Sequence, residues 1–204
     1  HNELGCALAG LKRYDDAISS FDSASALDYG FKDPRNNKGM ILCKLNRYSE
    51  AVEAFQTGVD IDPTFSVSHL NLALALQLSG NFTSAMKSLN QSIQLDPQNN
   101  FSKLNKSHLL LLLDRYDEAW PLYELRWSST KLNDLRDFKE PLWLGAESIS
   151  GKKIFIHAEQ GFGDVIMCSR FLPLLKSMDA KVTLEVPSEL HKLMSLIDGV
   201  EVIT

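Results

Sequence analysis

The residues best suited to chemistry lie at two places. Glu159-Gln160-Gly161-Phe162-Gly163-Asp164 joins a β-branched run to a helical one. A glycine turn feeding a helix start presents backbone N–H groups to an anion, which makes Gln160, Gly161 and Gly163 a candidate anion or acceptor loop. Asp164, at its end, could take a proton from a substrate hydroxyl as a general base. It could equally cap the helix that begins there. With only two glycines the turn is not a dinucleotide fingerprint, so no cofactor is expected. The second place is a row of side-chain amides, Asn37, Asn71 and Asn105, spaced 34 residues apart. Each carries a donor and an acceptor. A row of them could bond the backbone of an extended peptide whatever its sequence, or it could bond neighbouring helices and hold the array together. His69 and His108 have no carboxylate or cysteine at ligand spacing, and Cys6, Cys43 and Cys168 match no zinc pattern, so no metal site is expected.

The amides are positioned by an internal repeat. Tyr14, Tyr48, Phe82 and Tyr116 recur every 34 residues; so do Ala17, Ala51, Ala85 and Ala119, and Phe21, Phe55, Leu89 and Tyr123. Gly5, Gly39, Ala73 and Ser107 share another position, and Pro63 and Pro97 close two repeats. The recurring alanine lets two helices approach, the small residue does the same from the facing helix, and the bulky residue four after the alanine fills the seam on the same helical face. Helices are expected near 2–11, 14–27, 34–45, 48–60, 66–79, 82–95, 100–113 and 116–128, with Asp62-Pro63 and Asp96-Pro97 ending two of them.

This pattern resembles the tetratricopeptide repeat over residues 1–130, with a fourth copy that departs from it at Arg126 and Lys131. The resemblance implies an all-α superhelix of about four helix pairs, its first helices lining a groove for a protein or peptide. The asparagine row is similar to the ladder of O-GlcNAc transferase. Flanking groove candidates are Met40, Lys44, Leu70, Leu74, Gln77, Leu104 and His108, and no lysine–arginine cluster is present to clamp a carboxylate.

Residues 131–151 read as a linker carrying Pro141, Trp143, Gly145 and Gly151. From 152 to 204 the period changes. Lys153–His157 reads as a buried parallel strand, Val165–Met178 as a helix kinked at Pro173, Lys181–Val186 as a strand, Ser188–Ile197 as a helix and Val200–Ile203 as a strand. The order β-α-β-α-β implies a parallel sheet. Trp143 with Gly145, then HAEQGFGD, then Arg170-Phe171-Leu172-Pro173 resemble the start of the glycosyltransferase-like domain that follows such repeats in bacterial proteins. Gly163-Asp164 is similar to the glycine–aspartate step of heptosyltransferases. That resemblance implies a partial Rossmann-like domain, the N-terminal half of a GT-B enzyme, with Asp164 near a sugar acceptor. The donor site of such enzymes lies in the other half, so residues 1–204 alone are expected not to transfer sugar.

The charge balance narrows the partners. Residues 1–130 carry 12 Lys+Arg against 15 Asp+Glu, and the remainder 9 against 11, for a net charge of −5. Neither part offers a basic surface, so nucleic acid is not an expected partner. No apolar run reaches the ~18 residues of a membrane span. Three unpaired, buried or half-buried thiols suit a reducing compartment, so a cytoplasmic location is expected. The chain opens inside a helical pattern without a methionine and is expected to be a piece of a longer protein.

Overall fold

The computed structural model describes residues 1–129, 138–159 and 161–204. The chain divides into two compact units, His1–Arg136 and Asp137–Thr204.

The first unit is built of helix pairs: α1 Asn2–Gly10 with α2 Tyr14–Leu27, α3 Asp33–Lys44 with α4 Tyr48–Ile61, α5 Ser66–Leu78 with α6 Phe82–Leu95, and α7 Asn100–Leu112 with α8 Tyr116–Tyr123. Every second helix of a pair begins on the repeated aromatic residue. Lys12, Asn46, Gly80 and Asp114, again in register, all adopt positive φ between the two helices. The next residue closes the turn: Arg13 N–H donates to Leu8 O at 2.9 Å, Arg47 to Leu42 O at 2.9 Å, Asn81 to Leu76 O at 2.8 Å and Arg115 to Leu110 O at 2.9 Å. This long-range bond around a left-handed residue satisfies a carbonyl that the helix end would otherwise leave open. It reverses the chain identically four times.

The seam forms as the pattern requires. Ala17, Ala51, Ala85 and Ala119 are completely buried, and Phe21, Phe55 and Leu89 fill the space beside them. A Cβ placed on Gly39 would meet three atoms of the Phe55 ring at 2.7–2.8 Å, and one on Gly5 would meet the Phe21 ring at 2.5–2.9 Å. Successive pairs are joined by a second line of small residues. Ser92 of α6 donates to Ser66 O and shares a 2.9 Å hydrogen bond with the buried Ser102 of α7. One pair earlier, Gly58 occupies the place of Ser92, and Asn36 Nδ2 reaches Ser68 Oγ at 3.4 Å. The fourth pair departs from the expected helix to residue 128. Pro121 lies inside α8, which stops at Tyr123, and the short α9 Arg126–Ser129 follows. Pro121 has no N–H to give to the carbonyl four residues before it, so α8 lacks one ladder bond.

Among the described residues the second unit holds three strands, β1 Lys153–His157, β2 Lys181–Glu185 and β3 Val200–Ile203, in the parallel order β1-β2-β3. The crossovers are α10 Phe162–Ser169 with α11 Leu172–Ser177, and α12 Ser188–Met194. Arg170 and Phe171 separate α10 from α11, so the single helix expected over 165–178 is two, and Pro173 stands in the first turn of the second, where a proline is tolerated. Val182 and Leu184 pack with Ile154, Ile156, Val200 and Val202 against Leu172, Leu190 and Met194. The other face carries Lys153, Phe155, His157, Thr183 and Glu201. The expectation of a buried β1 is therefore corrected: Phe155 is 44% exposed, because the strand alternates and the described helices lie on one side. Part of the expected linker also belongs to this unit. Ile149 is only 1% exposed in its core, with Trp143 packed beside it.

Candidate functional site

On the first helices, side chains spaced four, three and four residues apart share one stripe. On α5 these are Val67, Asn71, Leu74 and Leu78; on α7, Phe101, Asn105, His108 and Leu112; on α3, Asp33, Asn37, Met40 and Lys44. Leu78 and Phe101 are each 53% exposed and Leu112 is 55% exposed, while Met40 and Lys44 are also open to solvent. Asn71, Leu74 and Gln77 are half-buried. Leu70 and Leu104 are corrections. At 5% and 6% exposure they belong to the core, because one residue before the amide the helix turns inward by about 100°.

The three amides do not behave alike. Asn37 Nδ2 donates to Asn2 Oδ1 of α1 at 3.1 Å and lies 3.5 Å from Cys6 Sγ, so this amide joins two neighbouring first helices. Asn105 Nδ2 donates to Phe101 O of its own helix at 2.8 Å, and its oxygen makes no hydrogen bond among the described residues. Asn71 makes no side-chain hydrogen bond among the described residues. Asn36, the neighbour of Asn37, is the buried one, and its Oδ1 has no partner among the described residues. Leu70 and Leu104 follow Asn36 at the 34-residue spacing, and these apolar residues are the sequence signal that the register faces inward.

His108 meets the Tyr123 ring edge-on at 5.9 Å, and Trp120 and Tyr116 extend this aromatic run along α8. Partial burial pushes the His108 imidazole below its ordinary pKa, which favours the neutral form. His69 instead bonds Pro63 O at 2.9 Å and is buried. No group of metal-binding side chains occurs among the described residues. The thiols differ from expectation as well: Cys6 and Cys168 are exposed and only Cys43 is half-buried, where desolvation raises its pKa. No described helix is long and apolar enough to cross a membrane.

In the second unit, α10 starts at Phe162 with Gly161 as its capping residue and no side-chain cap bond. Asp164 is therefore not the cap; it is the third helical residue and is exposed, where its negative charge suits the positive end of the helix. A Cβ at Gly161 or Gly163 would meet nothing within 4 Å. Gln160, proposed for the same loop, lies outside the described residues.

Comparison with known proteins bears on the helix pairs. Tetratricopeptide-repeat family profiles match residues 2–64 and 67–99. Residues 2–99 are tetratricopeptide repeats. The repeats also show in structural likeness: MamA from Desulfovibrio magneticus RS-1 has a TM-score of 0.57 at 20% identity, covering 65% of this chain and 75% of that one. YrrB, described as a tetratricopeptide-repeat protein with an unusual peptide-binding site, has a TM-score of 0.54 at 16% identity, over 63% of this chain and 66% of that one. The first repeat domain of Spaghetti (RPAP3), solved with the HSP90 peptide SRMEEVD, has a TM-score of 0.53 at 16% identity, over 55% and 90%. At these identities the likeness is one of fold. Among curated proteins, FlbA of Caulobacter vibrioides is 39% identical over 70 residues, which is 33% of this chain and 11% of FlbA. The chain thus spans about a tenth of that relative.

Proposed function

We propose that the tetratricopeptide repeats hold an extended peptide or protein segment along the stripe on α3, α5 and α7. The observation that carries this reading is the stripe itself: apolar side chains left open at matching registers, with the Asn71 amide between them and unengaged among the described residues. An extended strand shows alternate side chains to one surface and its backbone groups between them, which suits pockets interleaved with amides. YrrB and the Spaghetti domain, on the same fold, are described as binding peptides, and this supports the reading. The test uses a displayed library of random octapeptides. Binders selected on the protein should weaken at least fivefold with Asn71→Ala while the helical circular-dichroism signal and urea midpoint stay unchanged. Equal loss of folding would mean that the amide holds the array together.

A second reading concerns residues 137–204. The parallel order β1-β2-β3 and the two glycines that neither positive φ nor packing requires support the start of a GT-B glycosyltransferase, with Asp164 exposed beside a sugar acceptor and the repeats as its recognition arm. Saturation-transfer NMR with a monosaccharide panel tests it: contacts should appear and should vanish in Asp164→Ala. Sugar transfer by residues 1–204 alone, lost in Asp164→Ala, would contradict the expected separation of donor and acceptor halves.

A further inference from the structure

The stripe has a second property that bears on what it would hold. None of the eight residues on its α5 and α7 parts is a lysine, arginine, aspartate or glutamate. The two lysines on these helices stand at other registers. Lys106 is in register with Lys38, which turns back to pair with Asp22 of α2, and its charge acts on Glu118 of α8. Lys103 is in register with Arg35 and His69, whose side chains bond the connecting segments at Tyr29 O, Phe31 O and Pro63 O. A charge brought onto the α5 and α7 parts would lose water and gain no counter-charge there, the stripe's charged residues being Asp33 and Lys44 at the two ends of its α3 part. An apolar side chain would cover Val67, Leu78, Phe101 and Leu112, all of them more than one-third exposed.

We infer that the segment recognised here is an uncharged, apolar-rich stretch within a chain, not an acidic tail with a free carboxylate. The inference rests on the peptide-binding reading above and adds the chemistry of the ligand. Neighbouring helices pack about 8–10 Å apart, and an extended chain advances ~3.3 Å per residue, so crossing α3, α5 and α7 takes about six residues. An octapeptide is long enough. Asn71 and the amide oxygen of Asn105 then serve backbone groups, and alternate side chains face the apolar positions.

The experiment measures fluorescence anisotropy with three labelled probes: an N-acetylated, C-amidated octapeptide alternating leucine and serine, the same peptide with glutamate replacing leucine, and SRMEEVD with a free carboxylate. The leucine peptide should bind at least tenfold tighter than either acidic probe. Its affinity should change less than twofold between 50 and 500 mM salt, since screening acts on charges. Leu112→Glu should weaken it at least tenfold. Leu78→Lys, at a solvent-exposed site, should weaken it while raising the affinity of the glutamate peptide, a gain that an unfolded variant would not show. Tighter binding of an acidic probe, sensitive to Phe101→Glu, would overturn the ligand chemistry and leave the peptide-binding reading standing. Failure of all three probes to bind would overturn both.

Discussion

Gly39→Ala tests the packing rule on which the array depends. In an exposed helix the change would stabilise by about 1 kcal/mol, since alanine is the better helix former. Here the new methyl meets the Phe55 ring at 2.7, 2.7 and 2.8 Å, against the ~3.5–4.0 Å of comfortable carbon contact. The ring is 2% exposed and is enclosed with Leu42 and Ala51 in the core, so it has nowhere to swing. Overpacking of this kind costs about 1–3 kcal/mol. Three simultaneous close contacts put this site at the upper end, and the net effect is a loss of roughly 1–2 kcal/mol after the propensity gain. The third pair supplies the remedy: Ala73 stands where Gly39 does, and Leu89 where Phe55 does. Phe55→Leu in the Gly39→Ala background should therefore recover stability, with a coupling of about 1–2 kcal/mol in a double-mutant cycle. Urea melts followed by circular dichroism would show it as a midpoint shift of ~0.5–1.5 M. Gly10→Ala, with nothing within 4 Å of the new atom, is the control and should not destabilise. A Gly39→Ala variant as stable as its parent, or no coupling to Phe55→Leu, would refute the argument.

Four further outcomes follow from particular contacts. Lys12 holds φ of 61° in a turn where Gly80 stands in register, so Lys12→Gly should stabilise the first pair by roughly 1 kcal/mol in the same melts. Asn37→Ala removes a bond between α1 and α3 and should cost about 1 kcal/mol, whereas Asn71→Ala should leave the midpoint unmoved. Asp62 is held at a pKa of about 2, chiefly by its hydrogen bond to Lys32 and then by Thr64. A depressed carboxyl lends stability above its unfolded pKa and loses it as pH falls through the folded one, so Asp62→Asn should flatten the fall in urea midpoint from about pH 4 to pH 2. Ile149→Ala should destabilise the second unit by about 2–5 kcal/mol, as befits a core side chain and not a linker.

The helix pairs were legible because each repeated residue has a steric job that can be named from its size alone. Alanine at a close approach, an aromatic at the turn and a bulky side chain in the seam leave one arrangement, and four copies in register remove accidents of composition. The left-handed residues between the helices carried a weaker signal. Gly80 announces positive φ and Asn46 and Asp114 do so more weakly, while Lys12 is held in it by the bond that closes the turn. The linker's part in the second unit carries a weak signal for a related reason. Gly145 and Gly151 do adopt the open conformations that suggest a loop, but Ile149 between them drops into the core of the second unit, a tertiary contact with no local periodicity. Pro121 and Pro173 show the converse: a proline marks a disturbed helix, and only its position tells whether it lies inside one, as in α8, or opens one, as in α11.

The candidate site was legible in its spacing and not in its bonding. Spacing assigns Asn37, Asn71 and Asn105 to one face because 34 residues return each to the same place on successive first helices. An amide, however, accepts and donates equally well to a neighbour, to its own helix or to a ligand, and the competing distances exist only once the helices are packed. Asn2 stands within reach of Asn37, so that amide is drawn into the array. Leu70 and Leu104 mislead in the same way, lying one residue from the amide and facing inward. What separates a ladder for a ligand from a brace between helices is thus the occupant of the adjacent helix at one position. Along this face a braced first rung leads to Asn71, whose half-buried amide meets no donor or acceptor of the described chain, between apolar side chains held open by the same packing that buried Leu70.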